Sequence, residues 1–315
     1  MSSLIPYFSA EEIAAKVPMK KAISLMAETY RQISTKEAHV PIREHFFMPQ
    51  ESAQALFMPA YLAGDRTFGL KVVGIHDDNP AKDLPYIHAV VLLMDASTGR
   101  PLLLADGTFI TSLRTGAGSG IATDLLARKD ARILAVFGAG VQARTQIEAV
   151  LAVRNIEQIF IFNRSKEKAL DLIKEIKEQY AIPASLGNEK ELNSADIICT
   201  ATSTSFPLFS HQNLKKGVHI NAIGAYRKDM AEVPAETVIA SRIFVDQLEA
   251  SWKEAGDLVQ PLEKNLIRKD HIMGEIGQIV LGQIVGRTSA SEITLFKSVG
   301  NAAQDLAIAG ALMRE

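Results

Sequence analysis

The sequence predicts an α/β protein: a Rossmann-type doubly wound parallel sheet plus a discontinuous α+β domain. Three observations lead there. First, Ala135-Val136-Phe137 reads as a buried strand that enters the turn Gly138-Ala139-Gly140 and then a helix beginning Val141-Gln142-Ala143-Arg144. Second, from about 131 to 246 strand-like apolar runs alternate regularly with helical segments, the pattern of parallel strands joined by crossover helices. Third, residues 40–112 carry short β-like runs separated by turns, which read as a meander whose sheet has one open face.

Residues 9–34 are expected to be mostly helical. Ser9 and Glu12 make a capping-box pattern, and Pro18 divides the stretch into a short helix and a longer one. The meander strands fall at 55–58, 69–75, 89–94 and 101–104, between turns such as Asp77-Asp78-Asn79-Pro80 and Ser97-Thr98-Gly99-Arg100. A linking helix is expected over 114–130. Its Gly116, Gly118 and Gly120 are poor helix formers, which points to close packing against backbone or cofactor. The nucleotide unit is expected as Ile133–Phe137, helix 142–153, Gln158–Phe162, helix 166–178, Ile197–Thr200, then strands at 218–223 and 243–245. The segment 256–275 reads as surface structure with little chemical content. Strand-like 292–296 and Gly300 lead the chain back out of this unit. A last helix, 301–313, should then pack on residues 1–115 through Ala303, Leu306, Ala307 and Ala311, with Gly310 allowing close approach. The expected domains are 1–115 with 300–315, and 116–299.

At 315 residues the chain is long enough for two domains. A hydrophobic fraction of 47% and a charged fraction of 22% are ordinary for a soluble globular protein. A net charge of −2 gives no argument for nucleic acid or an anionic membrane. No signal pattern or membrane-length segment is visible, so a cytoplasmic protein is expected. The single cysteine, Cys199, rules out an internal disulfide and reads as a small buried hydrophobe in a strand. No group of His, Cys, Asp or Glu has metal-ligand spacing, so no metal is expected.

The glycine turn points to a dinucleotide. Gly138 permits the tight turn, Gly140 lets backbone approach a pyrophosphate, and Ala143 packs helix against sheet. The new helix offers unpaired N–H groups to the phosphates. The next strand ends in Asn163-Arg164-Ser165, where a carboxylate for the ribose 2′-OH would stand in an NAD-preferring enzyme. A guanidinium there welcomes a 2′-phosphate, so NADP(H) is expected, with NAD possible. Asp246 ends a parallel strand at the edge where ligands bind, and is expected beside cofactor or substrate.

Three cations stand near element ends in the first domain: Arg43, Lys71 and Arg114. Lys71 lies inside an apolar strand, where burying its charge requires a partner. If the three converged, they would suit a carboxylate, gripped bidentately by Arg and given a point charge or a proton by Lys.

Further motifs give the chain a family resemblance. They include Phe57-Met58-Pro59-Ala60-Tyr61, Gly69-Leu70-Lys71, Asp95-Ala96-Ser97-Thr98-Gly99-Arg100-Pro101 and Leu113-Arg114-Thr115-Gly116-Ala117. Later come Thr200-Ala201-Thr202-Ser203, Gly224-Ala225-Tyr226 running to Glu232, Phe244-Val245-Asp246 and Phe296-Lys297-Ser298-Val299-Gly300. With these the chain resembles the ornithine cyclodeaminase/mu-crystallin family of NAD(P)-dependent enzymes over almost its whole length. The resemblance implies that Arg43, Lys71 and Arg114 hold a substrate carboxylate, with Lys71 the proton donor. It implies cofactor contacts from Thr115, Gly138, Gly140, Val141, Gln142, Ala143, Asn163, Arg164, Ser165, Thr200, Thr202 and Asp246. It also implies a first domain that carries the substrate site and forms a homodimer.

Departures from the family pattern narrow the activity. Cyclodeaminases carry a Glu at the position of Leu56, and cyclodeaminases and archaeal-type alanine dehydrogenases an Asp at that of Tyr226. Mu-crystallin-like ketimine reductases lack that Asp and share the run from Asn163 to Glu167. The expectation is therefore an NADPH-dependent reductase of cyclic α-imino acids such as pyrroline-2-carboxylate or piperideine-2-carboxylate. Ornithine cyclodeaminase, an alanine-type amino-acid dehydrogenase and a non-catalytic small-ligand carrier are the alternatives.

Overall fold

A computed structural model describes residues 4–314, with the backbone alone at Pro80; residues 1–3 and 315 of the expected first domain lie outside the described residues. The chain forms two compact units, one reaching to Arg114 and resuming at Gly300, the other Thr115–Val299.

In the first unit a short strand, β1 (Tyr7–Phe8), precedes α1 (Ala10–Lys16), which Ser9 and Glu12 start with a capping box. Pro18 is the N-cap of α2 (Met19–Ser34), whose Ala22, Ile23, Met26, Tyr30 and Ile33 are buried. The meander follows as β2 (Ala38–His39), β3 (Glu44–Met48), β4 (Ala53–Leu62), β5 (Thr67–His76), β6 (Ile87–Asp95) and β7 (Pro101–Asp106). The sheet runs β1-β7-β6-β5-β4-β2, with β3 also on β4. β4 is longer than the predicted 55–58 because Pro59 does not end it. This residue falls between the stretches that pair with β3 (Ala53 to Phe57) and β2 (Tyr61 and Leu62). Along β5 side chains alternate between buried and more open, so Gly69, Lys71, Val73 and Ile75 share the covered face.

The helix after the meander, α3 (Gly107–Leu126), begins and ends earlier than the expected 114–130. Asp106 starts it by accepting the N–H of Phe109 (2.9 Å). Position 107 is a glycine because a Cβ there would lie 2.8 Å from the Ala89 carbonyl carbon.

The second unit is an eight-stranded sheet in the order β10-β9-β8-β11-β12-β15-β13-β14, every pairing parallel. Its elements are β8 (Ile133–Phe137), α4 (Val141–Val153), β9 (Gln158–Phe162), α5 (Lys166–Tyr180), β10 (Ala184–Leu186), α6 (Glu189–Leu192), β11 (Ile197–Thr200), β12 (His219–Ala222), α7 (Ala235–Ala240), β13 (Ser241–Val245), α8 (Leu248–Glu254), α9 (Gly256–Glu263), β14 (Ile272–Glu275), α10 (Ile276–Val280) and β15 (Ile293–Lys297). Alternation in β8 feeds two cores: Ala135 and Phe137 pack with Val238 and Leu258, Leu134 and Val136 with Ile147 and Leu172. That is the doubly wound architecture the sequence predicts. Gly116 of α3 carries no side chain because a Cβ would lie 2.5 Å from the Thr145 carbonyl oxygen of α4. No described helix is long and apolar enough to cross a membrane.

The last helix, α11 (Ala302–Ala311), returns to the first unit and packs on α2, β4, β5 and β6. Close approach comes from the sheet: a Cβ on Gly69 would meet the Leu92 carbonyl oxygen and, at 2.8 Å, Leu306 Cδ2. The expectation that Gly310 serves this purpose is incorrect, since open space lies where its Cβ would be.

Candidate active site

In the first unit the three predicted cations gather at the start of α11. Lys71, at the centre of β5, is 1% exposed. Its Nζ lies 2.7 Å from Oδ2 of buried Asp305 and donates to Thr111 Oγ1 at 3.2 Å. Arg114 Nε faces the other oxygen of Asp305 at 3.4 Å, and Arg114 Nη1 donates to Gln304 Oε1 at 3.1 Å. Arg43, just before β3, donates from Nη2 to the Gly300 carbonyl (2.7 Å). Gly300 adopts φ +73 with its Cα against Arg114, where a Cβ would stand 2.2 Å from Nη1. Only glycine fits a left-handed turn pressed on a guanidinium. Burial pulls the Lys71 ammonium down to about 7; Asp305 opposes the change, while Arg114 and Arg43 add to it. Lys71 and Arg114 share the single carboxylate of Asp305, and a cationic cluster of this kind suits an anionic substrate group.

Sequence reasoning found the cations and missed their partner. The signal was present, since Asp305 is the one charged residue in the apolar helix Ala302–Ala311. Leu56 is buried on β4 and Met58 is the register partner of Lys71, so an apolar wall stands where the cyclodeaminase Glu would be. Tyr226 is half-buried, with the Arg227 guanidinium 6.0 Å from its ring centroid.

In the second unit strand order reverses between β8 and β11, the switch point where such sheets bind ligands. Gly138 leaves β8 at φ +115, with its missing Cβ 2.6 Å from the Ala201 carbonyl oxygen. Gly140 is the N-cap of α4, no side chain caps that helix, and open space faces the glycine where a Cβ would be. Val141 is exposed, Gln142 half-buried and Ala143 buried against the sheet. This cradle of free N–H groups and absent side chains fits a dinucleotide pyrophosphate. Asn163 donates to the Ser165 carbonyl (2.8 Å), Ser165 caps α5, and Arg164 is exposed beside them. The Thr115 carbonyl accepts from Gln146 Nε2 (3.3 Å).

Thr200 and Thr202 are organised by Glu232, to which the sequence analysis gave no role. Its buried carboxylate accepts from Thr200 Oγ1 (2.8 Å), Thr202 N (2.7 Å), Thr202 Oγ1 (2.8 Å), Gly224 N (2.7 Å) and Ala225 N (3.2 Å). One side chain thus ties together the loops leaving β11 and β12. Burial pushes the Glu232 carboxyl above its ordinary value, while Lys297 pulls the other way. Behind it, Asp257 accepts from the N–H of Glu232 and Val233 and from Lys297 Nζ (2.7, 3.0 and 2.8 Å). The segment 256–275 is therefore more than surface structure. Asp246 is buried, its carboxylate taken by Ser298 Oγ (2.7 Å) and by the N–H groups of Val299 (3.1 Å) and Gln247 (2.9 Å). Cys199 is buried as expected, and burial pushes its thiol up to about 12.

A parallel sheet with a phosphate cradle, and a unit bearing a buried cation cluster, define the class: nucleotide-dependent α/β enzymes acting on small anionic metabolites. The ornithine cyclodeaminase/mu-crystallin family model matches residues 7–314, and the chain belongs to that family. It is 39% identical over 304 residues to a Δ1-pyrroline-2-carboxylate reductase of Bacillus cereus, covering 96% of this chain and 93% of the relative. Among solved structures it is similar to Thermococcus litoralis Δ1-pyrroline-2-carboxylate reductase in complex with NADH and L-proline, at 36% identity and a TM-score of 0.93 over 98% of this chain and 96% of that one. It is also similar to an archaeal alanine dehydrogenase dimer with bound NAD, at 32% identity and a TM-score of 0.92 over 98% and 94%.

Proposed function

We propose that this chain is an NAD(P)H-dependent reductase of cyclic α-imino acids, converting pyrroline-2-carboxylate or piperideine-2-carboxylate into proline or pipecolate. The observation that carries the reading is the gathering of Arg43, Lys71 and Arg114 around Gly300 and Asp305. The reductase relatives and the proline bound by one of them support it.

The reduced nicotinamide supplies a hydride to the imine carbon. This chain supplies the rest. Arg43 and Arg114 hold the substrate carboxylate by charge-assisted hydrogen bonds. Lys71, depressed to about 7, gives its proton to the imine nitrogen, and Asp305 keeps the ammonium in place. Protonation makes the C=N bond the better hydride acceptor. Leu56 leaves a second amino group without a counter-charge on β4, which favours imine reduction over ornithine cyclodeamination.

The finer parts of the reading are these. Gly138, Gly140, Val141, Gln142 and Ala143 cradle the dinucleotide phosphates, with Asn163, Arg164 and Ser165 at the adenosine ribose. Thr115, Thr200, Thr202 and Asp246 complete the cofactor site. NADPH is preferred because exposed Arg164 replaces the usual acid. The first unit carries the substrate site and forms a homodimer, and the enzyme is cytoplasmic.

The test is an assay of the purified protein with NADPH or NADH on both cyclic imines, on pyruvate plus ammonia, and on ornithine. Reduction of a cyclic imine is expected. Arg114→Ala should raise KM steeply, Lys71→Ala should lower kcat as well, and Lys71→Arg should restore binding better than turnover. Ammonia and proline from ornithine, with both imines ignored, would overturn the reading.

A further inference from the structure

Helix α11 begins at an unsatisfied residue. Its N-cap, Asn301, is 4% exposed, and both its amide atoms, Oδ1 and Nδ2, lack a hydrogen-bond partner. The side chain lies across from Gln304 as a capping box would place it, yet it makes no cap hydrogen bond. Its own N–H donates to Gln304 Oε1 at 3.1 Å. A buried amide without partners is costly, and such groups in folded proteins call for an explanation, a bound group among them.

The surroundings supply one. The preceding Gly300 gives its carbonyl to Arg43 and presses its Cα on the Arg114 guanidinium. Gln304 Oε1 receives both the Asn301 N–H and Arg114 Nη1. Asn301 therefore stands one residue from the contact that joins the cations of the substrate site. The first turn of α11, a helix of ten residues, turns the positive end of its dipole to the same place. An anion there would let Nδ2 donate to it while Oδ1 stays toward the Gln304 N–H, where the capping box places it.

We propose that Asn301 is a substrate-binding residue whose Nδ2 donates to the carboxylate held by Arg43, Lys71 and Arg114. The inference rests on the imino-acid reading above. It makes the start of α11 a neutral fourth contact that orients the carboxylate without adding charge.

Two substitutions separate this role from helix capping. Asn301→Asp keeps the shape and a good cap but removes the donor and adds a negative charge. Asn301→Ser also caps well but is too short to reach. Both are expected to keep the melting temperature near that of wild type and the dinucleotide KM within about twofold. Both should raise the imino-acid KM at least about tenfold, with Asn301→Asp the larger effect and kcat less affected. Calorimetric titration of L-proline into the dinucleotide-bound protein should show the same loss. If Asn301→Asp fails to fold, Asn301→Ser and the titration decide. An unchanged imino-acid KM and proline affinity, or a change confined to the dinucleotide KM, would overturn the assignment. Failure of the wild-type protein on both cyclic imines would instead be a failure of the underlying reading.

Discussion

Lys71 Nζ lies 2.7 Å from Asp305 Oδ2, and neither side chain meets solvent. The lysine comes from the middle of a meander strand and the aspartate from the last helix, so the pair exists only because α11 folds back onto β5. A lone buried ammonium would give up its proton. Asp305 retains the charge while burial and two guanidiniums hold its pKa near neutrality.

A pH profile follows from that balance. Lys71 must be protonated to serve as the acid, so kcat/KM for imine reduction should fall as pH rises through about 7. Asp305→Asn removes the one group that raises this pKa and should move the falling limb to lower pH. A limb that stays in place in Asp305→Asn would separate Lys71 from the proton step. Stability carries the opposite sign. The unfolded chain keeps the Lys71 proton up to about 10.5 and the folded chain releases it near 7. The associated stability is fully present above about 10.5 and is lost as pH falls toward 7. Urea unfolding of wild type and Lys71→Met at several pH values reads that slope.

Cofactor choice should reside in Arg164, exposed next to the Asn163 and Ser165 that shape its turn. A guanidinium–phosphate contact contributes about 1.5–3 kcal/mol, roughly ten- to a hundredfold. Arg164→Ala should erase most of the preference for NADPH and leave NADH kinetics nearly unchanged. Steady-state kcat/KM with both cofactors measures it, and equal values in the wild-type enzyme would refute the assignment.

Glu232 should be the keystone of the nucleotide loops. Glu232→Ala strands the donors of Thr200, Thr202, Gly224 and Ala225 and leaves Lys297 with less counter-charge. A loss of about 3–5 kcal/mol in stability is expected, the range for breaking a buried charge network. Glu232→Gln keeps the shape and should cost less. In both variants the dinucleotide KM should rise more than the imino-acid KM, as denaturant melts and kinetics would register.

Self-association should run through the sheet edge at β3. Phe46 and Phe47 there are 57% and 67% exposed, on a strand whose described partner is β4 alone. Aromatic surface on an open strand edge invites a second copy. Light scattering at micromolar concentration should give a dimer, and Phe47→Asp should shift it toward monomer.

Local chemistry decided much of this protein from the sequence alone. The Ser9–Glu12 capping box, the Pro18 break and the glycine turn at Gly138 depend on neighbours a few residues away, and each formed where the pattern placed it. The alternation of strands and helices after residue 131 sufficed for a doubly wound sheet, because buried parallel strands need apolar runs and crossover helices. Lys71 was legible as a cation out of place in an apolar strand, and Arg43 and Arg114 joined it through the family resemblance.

Tertiary structure decided where those cations meet and what answers them. Asp305 pairs with Lys71 across a contact between distant segments, and no local pattern encodes such a pairing. The same holds for Glu232, Asp257 and Lys297, and for the crowding that requires a glycine at position 107. Sequence periodicity reports which face of an element is apolar. Which buried charge lies opposite which is known only after the faces have packed, since a charge is stable there only in the presence of its particular partner.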